Sequence, residues 1–295
     1  MGKSPKIIDC FTFFNELDVL ELRLKTHSPV VDQFVLVESR QTFQGNEKPC
    51  YYEENVARFA EFSDKITHII VEKFAETSDS WHREAEQRNY MNAVVNEFED
   101  TDIILLSDVD ELVRPECLLK LKEDPPKDNE VVCFSLQYCF YFLNLVYFEP
   151  WQRLGPRAVI KKTFPGMQNL RNIRGPIENR RRDFVRALRA AKRMGRFVKR
   201  RLVKNAGWHF AWIGGKDAAA AKILAISTHS RMRNRSSDEL VSDILTQRNA
   251  AISGGDNFKV MPIDDSFPLE IQENYENWSS FILTEEKKSE ELPCL

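Results

Sequence analysis

No apolar run in the 295-residue sequence approaches the roughly 20 residues that a membrane-spanning helix needs. No two of the six cysteines, Cys10, Cys50, Cys117, Cys133, Cys139 and Cys294, form a C-x-x-C pair. Several sit inside apolar strand-like runs, so they read as buried free thiols and no zinc site is expected. Internal repeats are absent. The start, "MGKSPKIIDCFTFF", has Lys3 and Lys6 and then a short apolar segment broken by Asp9. It lacks a signal-peptide core and a cleavage site, so the expectation is an intracellular, cytoplasmic chain. Lys6 stands where a myristoylation signal has Ser or Thr. The net charge of -3 gives no global pull toward nucleic acid or membrane, so any such preference must be local.

What is present is an alternation of strand and helix patterns. "KIIDCFTF", "VDQFVLVES", "ITHIIVE" and "DIILL" read as strands, separated by the helical patterns "NELDVLELRLKTH", "CYYEENVARFAEF" and "SDSWHREAEQRNYMNAVVNEF". The last of these carries a capping signal at Ser78 to Ser80. Such an order predicts an α/β fold with a mostly parallel central sheet and helices on both faces. The second half is less regular. "EVVCFSLQYCFYFLNLVYF" reads as a long strand or hairpin, "PRAVIKKTF" and "NAGWHFAWIGG" as strands, and "KDAAAAKILAIS" and residues 236–251 as helices. One domain is expected over residues 1–260, followed by a C-terminal segment, 261–295, with a loose polar tail.

One segment departs in composition. Residues 171–204 hold fourteen Lys or Arg against two acids, Glu178 and Asp183, a net +12 that leaves -15 for the remainder. Within it "DFVRALRAAKRMGRFVKRRLV" can be drawn as a basic amphipathic helix with Phe184, Leu188 and Phe197 on its apolar side. It reads either as a solvated helix packed on the domain or as a peripheral contact, over 180–204, with the anionic inner face of a membrane. Direct nucleic-acid binding is the least favoured reading.

The stretch that asks for a function is "DIILLSDVDEL", where a buried apolar strand ends in Asp108, Asp110 and Glu111. In parallel sheets, ligands gather at the carboxyl ends of strands. Two aspartates at i and i+2 leaving a strand can aim oxygens at one hard cation, Mn²⁺ or Mg²⁺, which also takes substrate phosphates. That is the D-x-D logic of nucleotide-sugar glycosyltransferases, in which the cation eases departure of a diphosphate. A solvated or capping acidic turn is the plainer alternative. A phosphatase with Asp108 as nucleophile is a rival, weakened because Leu112 stands where that motif has Thr or Val and because the strand comes a hundred residues into the chain.

"IIDCFTFFNELDVLELRL", "VDQFVLVESRQTFQGNEKP", Trp81 to Arg88 in the pattern W..E..QR, "SDVDE" and "AGWHFAWIGG" fall in an order that resembles glycosyltransferase family 17, the family of β-1,4-mannosyl-glycoprotein N-acetylglucosaminyltransferases. The resemblance covers roughly 6–166 and 205–255, with the basic stretch near 179–204 looking like an insertion. It implies a GT-A fold, a UDP-sugar donor with UDP-GlcNAc first, a divalent metal, a glycan or lipid-linked acceptor and inversion. Carried over by motif, Asp108 and Asp110 face the metal and diphosphate, and His209 matches the position of a C-terminal metal ligand. A core histidine bonded to a carbonyl is the alternative for His209.

Further candidates are weighed against plainer roles. Glu38 closes its strand and suits uracil or ribose, or is a solvated strand-end acid. Phe11, Thr12 and Asn15 follow the first strand and suit the nucleotide, though Phe11 equally suits the core. Arg88 suits a contact with a diphosphate or with the acid cluster, or an ordinary helix-surface ion pair, and shares a helix face with Trp81 and Glu84. The general base is sought among Glu111, Glu178, Asp183 and Glu149. Tyr141, Asn144 and Trp151 are acceptor contacts or core. A non-catalytic nucleotide-sugar or glycan-binding protein on the same scaffold is the alternative function.

Overall fold

The computed structural model describes residues 4–77, 79–225, 237–253, 255 and 257–291. The chain begins with β1 (Ile7–Thr12), α1 (Leu17–His27), β2 (Gln33–Ser39), α2 (Tyr51–Glu54), a 3₁₀ stretch (Val56–Lys65) and β3 (Ile66–Val71). Then come α3 (Ser80–Val95), β4 (Ile103–Asp108), β5 (Glu111–Val113), α4 (Pro115–Glu123), β6 (Glu130–Phe134), β7 (Leu136–Phe140) and β8 (Leu145–Trp151). The remainder comprises β9 (Arg157–Ile160), α5 (Met167–Arg171), α6 (Arg180–Met194), β10 (Lys199–Val203), β11 (Gly207–Ala211) and α7 (Gly215–Ala225). It closes with α8 (Ser237–Ile252), β12 (Phe258–Val260), α9 (Leu269–Glu273), α10 (Tyr275–Trp278) and α11 (Glu285–Glu291).

The expected mostly parallel sheet is present, in the order β10-β6-β9-β4-β1-β2-β3, with β9 antiparallel to both its neighbours and the other pairs parallel. Alternate residues face opposite sides, as a strand's period of two requires. Ile7, Phe11, Ile103 and Leu105 pack against Leu20 and Leu24 of α1 and Leu118 and Leu121 of α4. Ile8, Cys10, Ile104 and Leu106 face the other way, onto Met91 and Val95 of α3 and Met167 and Leu170 of α5. Both faces are therefore covered by helices, which is why these strands read as continuous apolar runs. From β1 the chain winds outward through β2 to β3, then returns to set β4 on β1's other side. That reversal is a topological switch point, and Thr12 and Asp108, paired in register, mark its carboxyl end.

A second sheet, β12-β8-β7-β11-β5, grows from the turn after β4. The aromatic stretch expected as one strand or hairpin divides at Ser135: β6 belongs to the large sheet, while β7 and β8 form a hairpin in the second. Phe267, Ile271, Trp278 and Ile282 of the C-terminal segment pack in one cluster with Trp208 of β11. Of the tail expected to be loose, Glu285–Glu291 form α11, where Glu291 meets buried Arg248 at 2.6 Å, and residues 292–295 lie outside the described residues. The basic helix is shorter than its pattern suggested. Gly195 ends α6 in the left-handed conformation (φ 67°), and "KRRLV" becomes β10 on the edge beside β6. The capping signal expected at Ser78 to Ser80 is supplied by Asp79, which accepts from the Trp81 amide at 3.0 Å; Ser78 lies outside the described residues.

Beneath the switch point lies a fully buried ionic group. Arg23 of α1 donates to Asp9 of β1 at 3.0 and 2.5 Å and to the Ser107 hydroxyl at 2.6 Å. Its Nη1 also lies 3.1, 3.1 and 3.0 Å from the carbonyl oxygens of Asp108, Val109 and Glu111. His27, one turn on, joins Asp9 at 2.9 Å to the Val113 carbonyl at 2.9 Å. Burial works to raise the Asp9 carboxyl, but Arg23 and His27 outweigh it and hold it below its ordinary value of 3.8. Its contribution to stability is therefore complete at neutral pH and is lost as pH falls through that depressed value. Arg23→Met should cost about 3–5 kcal/mol, because it strands a buried carboxylate, and adding Asp9→Asn should recover part of it. Urea unfolding at pH 7 and pH 3 checks this: the gap between wild type and double variant should shrink in acid. A single variant as stable as wild type would contradict it.

Candidate functional site

The turn from β4 to β5 projects its carboxylates into a cavity of about 370 Å³, within the range of small-molecule sites. Asp108, Asp110, Glu16 and Glu84 supply negative charge to its wall, and Lys48, Arg88, Arg171 and Lys222 supply positive charge. Phe14, Phe43, Trp81, Tyr138, Trp151 and Trp212 supply flat apolar surface.

Each carboxylate of the turn has a defined environment. Asp108 keeps about a third of its side chain exposed (35%) and is clasped by Arg171 at 2.5 Å and Arg88 at 3.5 Å. The Thr12 hydroxyl lies 3.5 Å away. Burial opposes its ionisation, yet Arg171 and Arg88 prevail and lower its pKa. Asp110 meets Lys222 at 2.9 Å, and its other oxygen lies 3.5 Å from His209 Nε2. Burial is again the largest influence, and Lys222 and His209 again overcome it, holding Asp110 far below the usual carboxylate range. Lys222 also meets Glu16 at 2.9 Å, and these two acids raise it although burial works the other way.

Glu111 is different. It is wholly buried, accepting from Trp151 Nε1 at 2.6 Å, from Arg171 at 2.8 Å and from the Asp108 amide at 3.1 Å. Its role is to hold Arg171 and the turn, and it does not line the cavity. Of the other carboxylates considered as base, Asp183 is taken by Arg200 at 2.7 Å and by the Ile177 amide at 2.9 Å. Glu178 and Glu149 are exposed on the surface, and none of the three lines the cavity.

The nucleotide candidates divide as well. Thr12 and Arg88 line the cavity, with Trp81 and Glu84 beside Arg88 on the same face of α3. Phe11 is core, under the Arg23 guanidinium, and Asn15 lies outside the lining, where Phe13, Phe14 and Glu16 take its place. Glu38 is fully buried and accepts from the Tyr52 and Glu53 amides and from His68, so it braces the start of α2. Trp151 lines the cavity, whereas Tyr141 is buried (φ 63°) and Asn144 ties Met261 and Leu283 to the hairpin turn.

His209 reaches the site through sheet register. β11 runs antiparallel to β5, with His209 opposite Glu111, and parallel to β7, with His209 opposite Tyr138. The imidazole is packed between Tyr138 and Trp151, with ring centroids at 5.1 and 4.6 Å. Its Nδ1 is buried with no hydrogen-bond partner among the described residues. The approach of β11 depends on Gly207 (φ 150°), whose Cβ would sit 1.9 Å from the Leu112 carbonyl oxygen. Trp212, at φ 62°, then turns into the cavity.

The decisive cations, Arg171 and Lys222, escape sequence reasoning. Arg171 is one of fourteen cations in its segment, with nothing local to distinguish it. Lys222 does carry a signal, a lone charge in "AAAAKILA".

The family model for glycosyltransferase family 17 matches residues 1–155, which carry β1 to β8 and the whole acidic turn. The chain belongs to glycosyltransferase family 17. Arg171, His209 and Lys222 lie beyond the matched residues. No curated protein matches the sequence. Among solved structures it is similar to 4-diphosphocytidyl-2C-methyl-D-erythritol synthase from Anaerococcus prevotii DSM 20548, at 14% identity and TM-score 0.38, covering 68% of this chain and 90% of that one. It is also similar to the mannosyltransferase PcManGT from Pyrobaculum calidifontis in complex with GDP-Man and Mn²⁺, at 12% identity and TM-score 0.39, covering 85% and 70%. A third is HddC from Yersinia pseudotuberculosis, at 11% identity and TM-score 0.32, covering 54% and 78%.

The site of this family 17 member can be tested for a divalent ion. Among the described residues no cluster of three His, Cys, Asp or Glu side chains is set to enclose one. Two donors do fit: the carboxylate oxygen of Asp110 and Nε2 of His209 face each other, a hard oxygen and an imidazole that Mn²⁺ accepts. Asp108, expected as a third ligand, is ion-paired to Arg171 and Arg88, as Asp110 is to Lys222. One carboxylate, one imidazole and substrate phosphates form a suitable set.

Gly207→Ala should push β11 away from β5, destabilising the protein on the order of 1–3 kcal/mol and separating His209 from Asp110. Thermal unfolding together with Mn²⁺ titration checks it. An unchanged melting temperature with unchanged Mn²⁺ binding would refute the register argument.

Proposed function

We propose that this chain is an active, metal-assisted glycosyltransferase that moves a sugar, GlcNAc as first candidate, from a UDP-sugar to a glycan or lipid-linked acceptor with inversion. One observation carries the reading. The acids of the sheet's switch point share a cavity with Arg88, Arg171, Lys222 and His209, each on a different element. Arg88, Arg171 and Lys222 converge from α3, α5 and α7, so a diphosphate entering the cavity can draw hydrogen bonds from preset cations. Asp110 and His209 would hold Mn²⁺ or Mg²⁺. Bound there, the ion supplies charge neutralisation for a departing diphosphate.

Asp108 stays ionised, and its exposed edge is suited to accept hydrogen bonds from ribose hydroxyls. Trp81, Phe14 and Phe43 offer faces for uracil, and Tyr138, Trp151 and Trp212 offer faces for the sugars. Inversion needs a group that takes the acceptor hydroxyl's proton. Glu16 and Glu84 are the cavity carboxylates outside the β4–β5 turn, and they replace Glu111, Glu178 and Asp183 as the groups to test.

The test is UDP release from a panel of UDP-sugars, with and without Mn²⁺. Release should require metal and fall on the order of 100-fold in Asp110→Ala and in His209→Ala. Release indifferent to metal and to both variants would sink the metal-assisted reading. Tight UDP binding without turnover, given a full acceptor panel, would make the chain a nucleotide-sugar-binding protein instead. Acid-labile phosphate on Asp108 would favour the phosphatase.

A further inference from the structure

Lys222 differs from the other cations of the cavity in what it holds. Its ammonium lies 2.9 Å from Asp110 Oδ2 and 2.9 Å from Glu16 Oε1, so one nitrogen bridges two carboxylates. They reach it from different places, Glu16 from the residue before α1 and Asp110 from the turn between β4 and β5. Both are largely withdrawn from solvent, their side chains being 10% and 8% exposed. Each has a role for its second oxygen as well. That of Glu16 accepts from the Asn15 amide at 3.1 Å, and that of Asp110 lies 3.5 Å from His209 Nε2. Lys48 also acts electrostatically on Glu16, without an ion pair between the two.

Two carboxylates converging on one point suit a cation of higher charge than an ammonium. A divalent ion on the same oxygens has twice the charge and approaches more closely, so its Coulomb attraction is greater. The ammonium has the advantage of being tethered to the chain, which gives it a high effective concentration. The two cations therefore compete, and whatever else binds the ammonium decides the outcome.

Lys222 is also the cation best able to leave. Arg171 grips Asp108, Glu111 and the Leu154 carbonyl, and Arg88 grips Glu84, Asp108 and Gln168. A guanidinium forked in this way loses several partners if it moves. Lysine is a point charge on a flexible four-carbon stem, so its ammonium can swing while α7 stays in place. It lines the same cavity that a diphosphate enters, with the ring of Trp212 5.8 Å from its nitrogen.

We propose that Lys222 is the resident occupant of the metal site. Without a donor its ammonium holds Asp110 and Glu16 together. When a diphosphate arrives, the ammonium shifts to the phosphate oxygens and yields both carboxylates to a divalent ion. Glu16 thereby joins Asp110 and His209 as a metal ligand, and Glu84 remains as the cavity carboxylate to test as base. Among the described residues no three such donors close on a common point. Each acid stands 2.9 Å from the ammonium, and a Mg²⁺–oxygen bond is about 2.1 Å, so each has about 0.8 Å to travel once Lys222 leaves. The inference rests on the metal-assisted reading above and adds a condition to it: the metal binds tightly only together with the nucleotide.

Titration of the full chain with Mn²⁺, followed through the electron paramagnetic resonance of the free ion, tests this without turnover. Wild type should bind Mn²⁺ on the order of tenfold more tightly with UDP present than without it. Lys222→Met, without UDP, should bind Mn²⁺ on the order of tenfold more tightly than wild type does. Adding Glu16→Gln to that variant should abolish the gain. Adding Glu84→Gln instead, at an acid that pairs with Arg88, should leave most of it. Circular dichroism verifies folding, and Lys222→Gln, which keeps a hydrogen bond without the charge, serves if Lys222→Met does not fold. A folded Lys222 variant that binds Mn²⁺ alone no more tightly than wild type, while UDP-dependent binding persists, would overturn the inference and leave the donor reading standing. A gain that survives Glu16→Gln would show Lys222 to be a repelling charge and overturn Glu16 as a ligand. Absence of Mn²⁺ binding in every variant, with or without UDP, would remove the metal-assisted reading and this proposal with it.

Discussion

Everything at the site hangs on one buried guanidinium. Arg23 neutralises Asp9 within the sheet and gathers the carbonyls of Asp108, Val109 and Glu111, drawing the turn between the two sheets around a single cation. Carbonyls pointing inward to Arg23 leave the carboxylates of Asp108 and Asp110 to point outward, into the cavity. The constraint follows from desolvation: a buried Asp9 must be paired, and the pair is stable only when its remaining donors are satisfied. The turn supplies the acceptors. Fold and site are thus joined by the same hydrogen bonds.

A second consequence concerns charge. Three carboxylates within four residues would repel one another and resist ionisation if left alone. Each is matched from a different direction, Asp108 by Arg88 and Arg171, Glu111 by Arg171 and Asp110 by Lys222. Arg171 does double duty, since one fork touches both the exposed acid and the buried one. The matching keeps Asp108 and Asp110 ionised, and it presents cations to any diphosphate that enters.

Much of this was readable in the residues, and the limits are physical. Strands β1, β2 and β4 announce themselves because a sheet covered on both faces demands continuous apolar runs, and the acids ending β4 stand out against that background. The acidic turn is local and could be seen, with Arg88 and His209 as candidates beside it; Arg171 and Lys222 meet it only through tertiary structure and could not. Asp9 in an apolar strand, with Arg23 and His27 at i and i+4 on the next helix, was a legible hint of the buried group. The division at Ser135 left no trace, because both sheets ask for the same alternation. Glu38 closes a strand as expected but turns inward to the α2 amides, a choice that depends on where the following loop returns. The stripe of Phe184 and Leu188, for which both an inward and an outward orientation were open, shows a different limit. Amphipathic spacing marks a face without saying which way it turns, and here the small residue Ala190 and the flexible side chain of Met194 pack inward.

The most direct measurement is UDP binding, by calorimetry with Mn²⁺ present, in an Arg23→Lys variant shown by circular dichroism to remain folded. The substituted lysine keeps a charge beside Asp9, but its compact ammonium cannot hold three carbonyls and two side chains in one plane. A folded variant whose UDP affinity falls about tenfold or more is the result this account predicts. A folded variant that binds UDP as tightly as wild type would contradict it.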